Sequence, residues 1–130
     1  MRLRTRDSEE LHLGFVQHFS ITSQFLGGYK ITTRYYNYSL ENKYGHEIVA
    51  FHWHPESETD TVSFAHMHLG HGAAERLRKE LYKIHFPTAR IAFEEIGLLL
   101  LEHFDVESER SDAKEVLNAN LELFRKHKTW

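Results

Sequence analysis

Residues 27–40, GGYKITTRYYNYSL, decide the fold class. β-Branched and aromatic side chains fill this stretch, and they suit a pleated surface better than a helix, where they lose χ1 freedom. Two glycines open it, and ENKYGHE follows it, where Gly45 can take the positive φ of a tight turn. The pattern predicts a strand over 28–40 that turns back into a second, antiparallel strand over 47–54, built on IVAFHWH. Upstream, LHLGFVQHFSI places Leu11, Leu13, Phe15, Phe19 and Ile21 on one parity and His12 and His18 on the other, which predicts a half-buried strand over 11–21. Downstream, Pro55 and the acidic run PESETD, with Glu56, Glu58 and Asp60, form a solvated loop. TVSFAHMHL then predicts a fourth strand over 61–69, closed by Gly70 and Gly72. The first ten residues are polar and are expected to fray.

The period changes after Gly72. AAERLRKELYKIH has helical spacing through Leu77, Leu81 and Ile84 and ends at Pro87, which cannot continue a helix. Its Arg76, Arg78, Lys79 and Lys83 form a solvated face or a basic patch. Thr88 is the expected cap of a further helix, ARIAFEEIGLLLLEHF, with Ile91, Ile96, Leu99 and Phe104 in its apolar stripe. Ser111 or Asp112 caps a last helix carrying Val116, Leu117, Leu121 and Phe124. Strands first and helices second imply an α+β protein, an antiparallel β-meander covered by C-terminal helices. At 130 residues the chain suits a single domain spanning 1–130.

Composition narrows the function. There is no cysteine, so disulfides, thiolate catalysis and Cys-ligated zinc are excluded. A formal net charge of -3 does not resemble a strongly basic nucleic-acid binder, although local patches matter more than the total. The longest apolar run, IGLLLL, is too short to span a bilayer, and MRLRTRDSEE lacks the apolar segment of a secretory signal. The expectation is a cytoplasmic protein with no membrane association. Eleven histidines make its charge sensitive to pH near neutrality.

Five of those histidines fall in FHWHP and FAHMHLGHG. In strands, His52 and His54 point to one face, His66 and His68 repeat the pattern on the next strand, and hairpin pairing would bring the two pairs together across the sheet. His71 would lie just beyond, in the glycine turn. Three readings stay open. The first is metal-free acid–base chemistry on RNA, with His66 or His68 as base, His52 or His54 as acid, and Arg34 or Lys30 neutralising the phosphorane. Tyr36 and Tyr38, with Tyr35, would stack bases; this reading requires no cofactor. The second is a zinc-like divalent transition metal held by His52, His54, His66, His68 and His71. The third is structural, with the imidazoles solvating a sheet surface or hydrogen-bonded in a core. The Tyr-rich strand and the tail FRKHKTW, with Trp130, also suit a protein interface, either with another protein or in a homodimer.

The stretches YYNYSLENKYGHEIVAFHWHPE, FAHMHLG and FPTARIAFEEIGLLLLEHF resemble the TumE-like toxins of small prokaryotic toxin–antitoxin pairs, over roughly residues 25–104. Tyr36 and Tyr38 match that family's aromatic strand, Gly45 its turn glycine, and His66 and His68 its histidine cluster, with His54 and Pro55 standing near the segment after the second strand. Phe51 replaces the family's usual Arg, and His52 and Trp53 stand where Tyr and Asp are expected. The resemblance implies a toxin acting with a cognate antitoxin, and RNA as its target. The expectation is thus a toxin-like, metal-independent endoribonuclease. The alternatives are a non-enzymatic protein-binding module and a His-ligated metal-dependent enzyme.

Overall fold

A computed structural model describes residues 1–25, 27–55, 62–73 and 84–127. Among them the chain forms a six-stranded antiparallel sheet followed by two helices, an α+β meander. The strands are β1 (Arg2–Arg4), β2 (Glu10–Ser23), β3 (Tyr29–Asn42), β4 (Glu47–Trp53), β5 (His66–Leu69) and β6 (Phe86–Pro87). They lie in the sheet in chain order. The helices are α1 (Phe93–His103) and α2 (Ala113–His127).

The strands that carry a long alternating pattern are where that pattern puts them. Gly45, at φ 77°, closes the β3–β4 turn, and the Asn42 side-chain oxygen accepts from the Tyr44 and His46 amides. One face of the sheet is the core. Leu11 and Leu13 from β2, Tyr36, Tyr38 and Leu40 from β3, and Val49 and Trp53 from β4 pack against Ile96 and Leu100 of α1. The Tyr36 and Tyr38 rings stack on each other with centroids 4.9 Å apart. Their hydroxyls find partners: Tyr36 accepts from the Ile91 amide at 3.0 Å, and Tyr38 donates to Gln17 at 2.9 Å. Arg90 lies 3.4 Å over the Trp53 ring, a cation–π contact at the edge of this layer.

Several local expectations are corrected. The N-terminal segment does not fray: β1 pairs with β2, and the Met1 ammonium donates to the Leu13 carbonyl at 2.6 Å. The strand expected over 61–69 is shorter, because Val62–Ala65 lie outside it and Phe64 faces solvent. Phe86–Pro87, expected to stop a helix, instead pairs with β5. Proline is tolerated there because an edge strand leaves one side without ladder bonds. Thr88 does not cap α1; Glu95 reaches back to accept from the Ala92 amide at 2.9 Å. The Asp112 carbonyl accepts from Val116 at the start of α2, as an N-cap residue does. The acidic positions Glu56, Glu58 and Asp60, the helical stretch around Leu77 and Leu81 with its basic residues, and Trp130 lie outside the described residues. Among the described residues no helix is long and apolar enough to cross a membrane.

Candidate metal centre

The second face of the sheet carries the histidines. In β4, Val49, Phe51 and Trp53 belong to the core side, so Ala50 and His52 point the other way. The β4–β5 register sets His52 opposite His66 and Ala50 opposite His68. Ala50 offers only a methyl group, which leaves the space above it to the neighbouring rings. The His52 ring centre lies 4.7 Å from that of His68 and 5.6 Å from that of His66. His85, just before β6, comes within 4.7 Å of His66 and 5.9 Å of His68. His54 Nε2 and His52 Nδ1 share a hydrogen bond of 3.3 Å. Beyond His54 the row continues to Tyr35, whose hydroxyl meets His18 Nε2 at 2.9 Å. His71 sits in the exposed turn after β5.

A carboxylate joins this row. The β3–β4 register shifts between Leu40 and Glu41, so that Leu40 faces Val49 while Glu41 faces Glu47 and Ile48 becomes the extra residue. A bulge of this kind flips the alternation. Glu47 therefore leaves the core parity of Val49 and meets His68, with Oε1 3.2 Å from Nδ1. The turn after β5 holds it there: the Gly70 amide donates to the Ile48 carbonyl at 3.0 Å and the Gly72 amide to the Glu47 carbonyl at 2.6 Å. A β-carbon at Gly70 would collide with that same Glu47 carbonyl.

The Glu47–His68 contact has the geometry of an ion pair but not its electrostatics. Burial, and then the nearby charge of Glu41, push the Glu47 carboxyl above its usual range. Burial, and then His85 and His66, hold His68 below the ordinary imidazole value. A pair of opposite charges would shift both groups the other way. Desolvation dominates here, so near neutral pH His68 is an uncharged imidazole beside the Glu47 carboxyl group.

Glu47, His52 and His68 each place one ligand atom within 4.8 Å of the other two. A tetrahedral ion with bonds of about 2.0–2.1 Å holds its ligands roughly 3.3 Å apart, so the three need to close by only about 1–1.5 Å. Rotation about side-chain bonds covers that distance. Glu47 Oε1 and His68 Nδ1 already stand 3.2 Å apart, about the spacing of two ligands on one ion, and His52 is steadied at Nδ1 by His54. His66, only 4% exposed, has Nδ1 2.9 Å from the Phe64 carbonyl and so keeps Nε2 as its acceptor nitrogen. Asn37 pairs with His52 across β3–β4, and its buried amide oxygen has no hydrogen-bond partner among the described residues. It is a polar group beside the cluster, suited to a donor such as a metal-bound water.

The remaining expected site residues fall elsewhere. Tyr36 and Tyr38 are 1% and 2% exposed and sit on the helix side of the sheet. This corrects the exposed stacking face expected of them, since their parity is that of Leu40; Tyr35 is the tyrosine on the histidine face. Lys30 pairs with Thr22 far out on the β2–β3 hairpin, roughly 23 Å along the strand from Asn37. Arg34 occupies the bulge in that hairpin and donates Nε to Ser20 at 3.2 Å. The structure thus gathers His52, His54, His66 and His68 and leaves Lys30, Tyr36 and Tyr38 away from them. Two members of the group were not anticipated. Glu47 stood only nearby in sequence, and His85 read as the end of a helix.

No protein-family model, curated protein or solved structure matches the chain.

Proposed function

We propose that the protein is a metal-dependent enzyme that binds one divalent transition-metal ion through Glu47, His52 and His68 and uses it for hydrolysis. The observation that carries this reading is the convergence of one carboxylate and two imidazoles on the sheet face opposite the helices. Two nitrogens and one oxygen suit zinc or ferrous iron. Three protein ligands leave coordination open for water and substrate, which is the arrangement of catalytic rather than structural zinc. An ion there would acidify a bound water and polarise a substrate oxygen. His66, His85 and His54 stand beside this group as further imidazoles, the side-chain type most used in acid–base chemistry.

The test is metal analysis of tag-free protein, followed by titration of stripped protein with zinc, ferrous iron and manganese. One ion per chain, lost in His52→Ala and in His68→Ala, is the expected result. Stripped protein that binds none of the three removes the reading.

A second reading keeps the resemblance to the TumE-like toxins and needs no metal: an endoribonuclease in which the same imidazoles act as acid and base. The lowered His68 value favours it, since a neutral base is then present at pH 7. It pairs the protein with an antitoxin encoded next to it. RNA cleavage that persists in chelator and disappears in His66→Ala or His68→Ala would select this reading over the first.

A further inference from the structure

We infer that the outer half of the β2–β3 hairpin is a dimerisation arm, which packs face to face against the same arm of a second copy of this chain. β2 and β3 are each 14 residues long, yet β1 pairs with only Glu10–His12 of β2, and β4 reaches only Tyr36 of β3. From His18 and Tyr35 outward the hairpin is a two-stranded ribbon beyond the body of the sheet.

The ribbon is amphipathic. β2 runs from Gln17 to Phe19 without an extra residue, while β3 spends Arg34 on a bulge between Tyr35 and Thr33. The bulge changes the parity of β3 at the point where the helices end. Thr33 and Ile31 therefore come to the face that Tyr36 and Tyr38 occupy further in. Gln17 ties the two parts together, accepting from Tyr38 and donating to Thr33 at 3.2 Å. Beyond it, Phe19 sits opposite Thr33, Ile21 opposite Ile31, and Ser23 opposite Tyr29. Phe19, Ile21, Ile31 and Tyr29 are 54%, 57%, 62% and 80% exposed, and Phe25 stands fully exposed at the tip. The opposite face is polar: Ser20, Thr22, Lys30, Thr32 and Arg34.

This strip continues the plane of the core with nothing among the described residues covering it. An isolated ribbon is at best marginally stable in water. Four large side chains at these exposures present roughly 500 Å² of strip per copy, and about 700 Å² with Phe25. Two such strips would bury about 1,000–1,400 Å² in total, within reach of a specific interface. Charge also selects a second copy as the occupant. The strip itself carries no ionisable side chain apart from the Tyr29 phenol, while Lys30 and Arg34 lie on the other face. Two identical strips can therefore meet on a two-fold axis without burying like charges, which is what a self-complementary interface requires. The histidine face points away from the strip, so the pairing leaves it accessible.

Light scattering of the full chain at micromolar concentration is expected to give twice the chain mass. Ile21→Glu and Ile31→Glu should each weaken the dimer by roughly a hundredfold or more while preserving the circular dichroism of the fold. Thr22→Lys, on the polar face, should leave the dimer intact. Because the chain has no cysteine, Ile21→Cys and Thr32→Cys report proximity directly. Oxidation should link the first into a covalent dimer and not the second, which decides the matter even where a glutamate variant misfolds. A wild-type chain of single mass, a dimer that survives both glutamates, or equal cross-linking at Ile21 and Thr32 would overturn the inference.

Discussion

A half-buried carboxylate beside a half-buried imidazole faces two competing effects, and Glu47 with His68 shows desolvation winning over charge attraction. Glu47 is raised and His68 lowered, so the pair holds less charge than its 3.2 Å separation suggests. A divalent ion would reverse the balance, since it favours the ionised carboxylate and takes the imidazole lone pair. Glu47→Gln keeps the shape but loses the charge. Zinc affinity should fall by roughly 10- to 100-fold or more, read by calorimetric titration against wild type. Unchanged affinity would take Glu47 out of the ligand set. The metal-free protein also has a pH signature at this residue pair. The folded value of His68 lies below the unfolded value of about 6.5, so on acidification the unfolded chain takes up that proton first. The His68 contribution is complete above about pH 6.5 and is lost as pH falls toward its folded value. Glu47, raised in the fold, works in the opposite sense: its contribution is complete below the ordinary carboxyl range and is lost as pH rises through its folded value. Denaturant melts between pH 4 and 8 should therefore show a steeper rise with pH in Glu47→Gln, where the opposing arm is gone, and a flatter one in His68→Gln.

At the scale of elements, the site depends on a strand–turn contact. The Gly70–Gly72 turn approaches the backbone of Glu47 so closely that neither glycine has room for a side chain. Gly70→Ala meets backbone rather than a yielding side chain, so relief requires moving β4 against β5. The expected cost is about 1–3 kcal/mol of stability, with weaker metal binding because Glu47 and His68 sit on the two strands that separate. Alanine tolerated with unchanged zinc affinity would show that the turn does not set the position of Glu47. The same elements show what a linear pattern can and cannot carry. β2, β3 and β4 were legible because alternation over many residues leaves one solution, and so was the cross-strand position of His52 and His66. Glu47 was not, because by simple alternation its parity is that of Val49 and Trp53, and only the bulge at Ile48 turns it around. β1 was missed because three residues with one apolar side chain, Leu3, carry no period; it is held by backbone pairing. β6 and His85 were missed because a proline after an apparent helical run reads as a stop, although it suits an edge strand equally well.

For the whole molecule, a sheet with helices on one side divides the work: the core face supplies stability and the other face is available for chemistry. The tyrosines of YYNY divide in the same way, Tyr36 and Tyr38 into the core and Tyr35 beside His18 and His54. An ion on the second face would join β4 to β5, two strands paired over only four residues of each. Binding to the folded state alone stabilises it by about 2.7 kcal/mol at a metal concentration a hundred times Kd. For a chain of this length that corresponds to roughly 5–15 °C in Tm. Chelator should therefore lower the Tm of metal-loaded wild type by that order. It should have little effect on His52→Ala or His68→Ala, and restoring zinc should bring back only the wild-type value. The core substitution Leu100→Ala serves as the contrast. It should lower Tm through a cavity, at a cost of about 2–5 kcal/mol, yet keep the full chelator-sensitive step, because Leu100 lies on the helix side of the sheet. Equal chelator sensitivity in the histidine variants and in Leu100→Ala would mean that the stabilising ion sits somewhere other than on Glu47, His52 and His68.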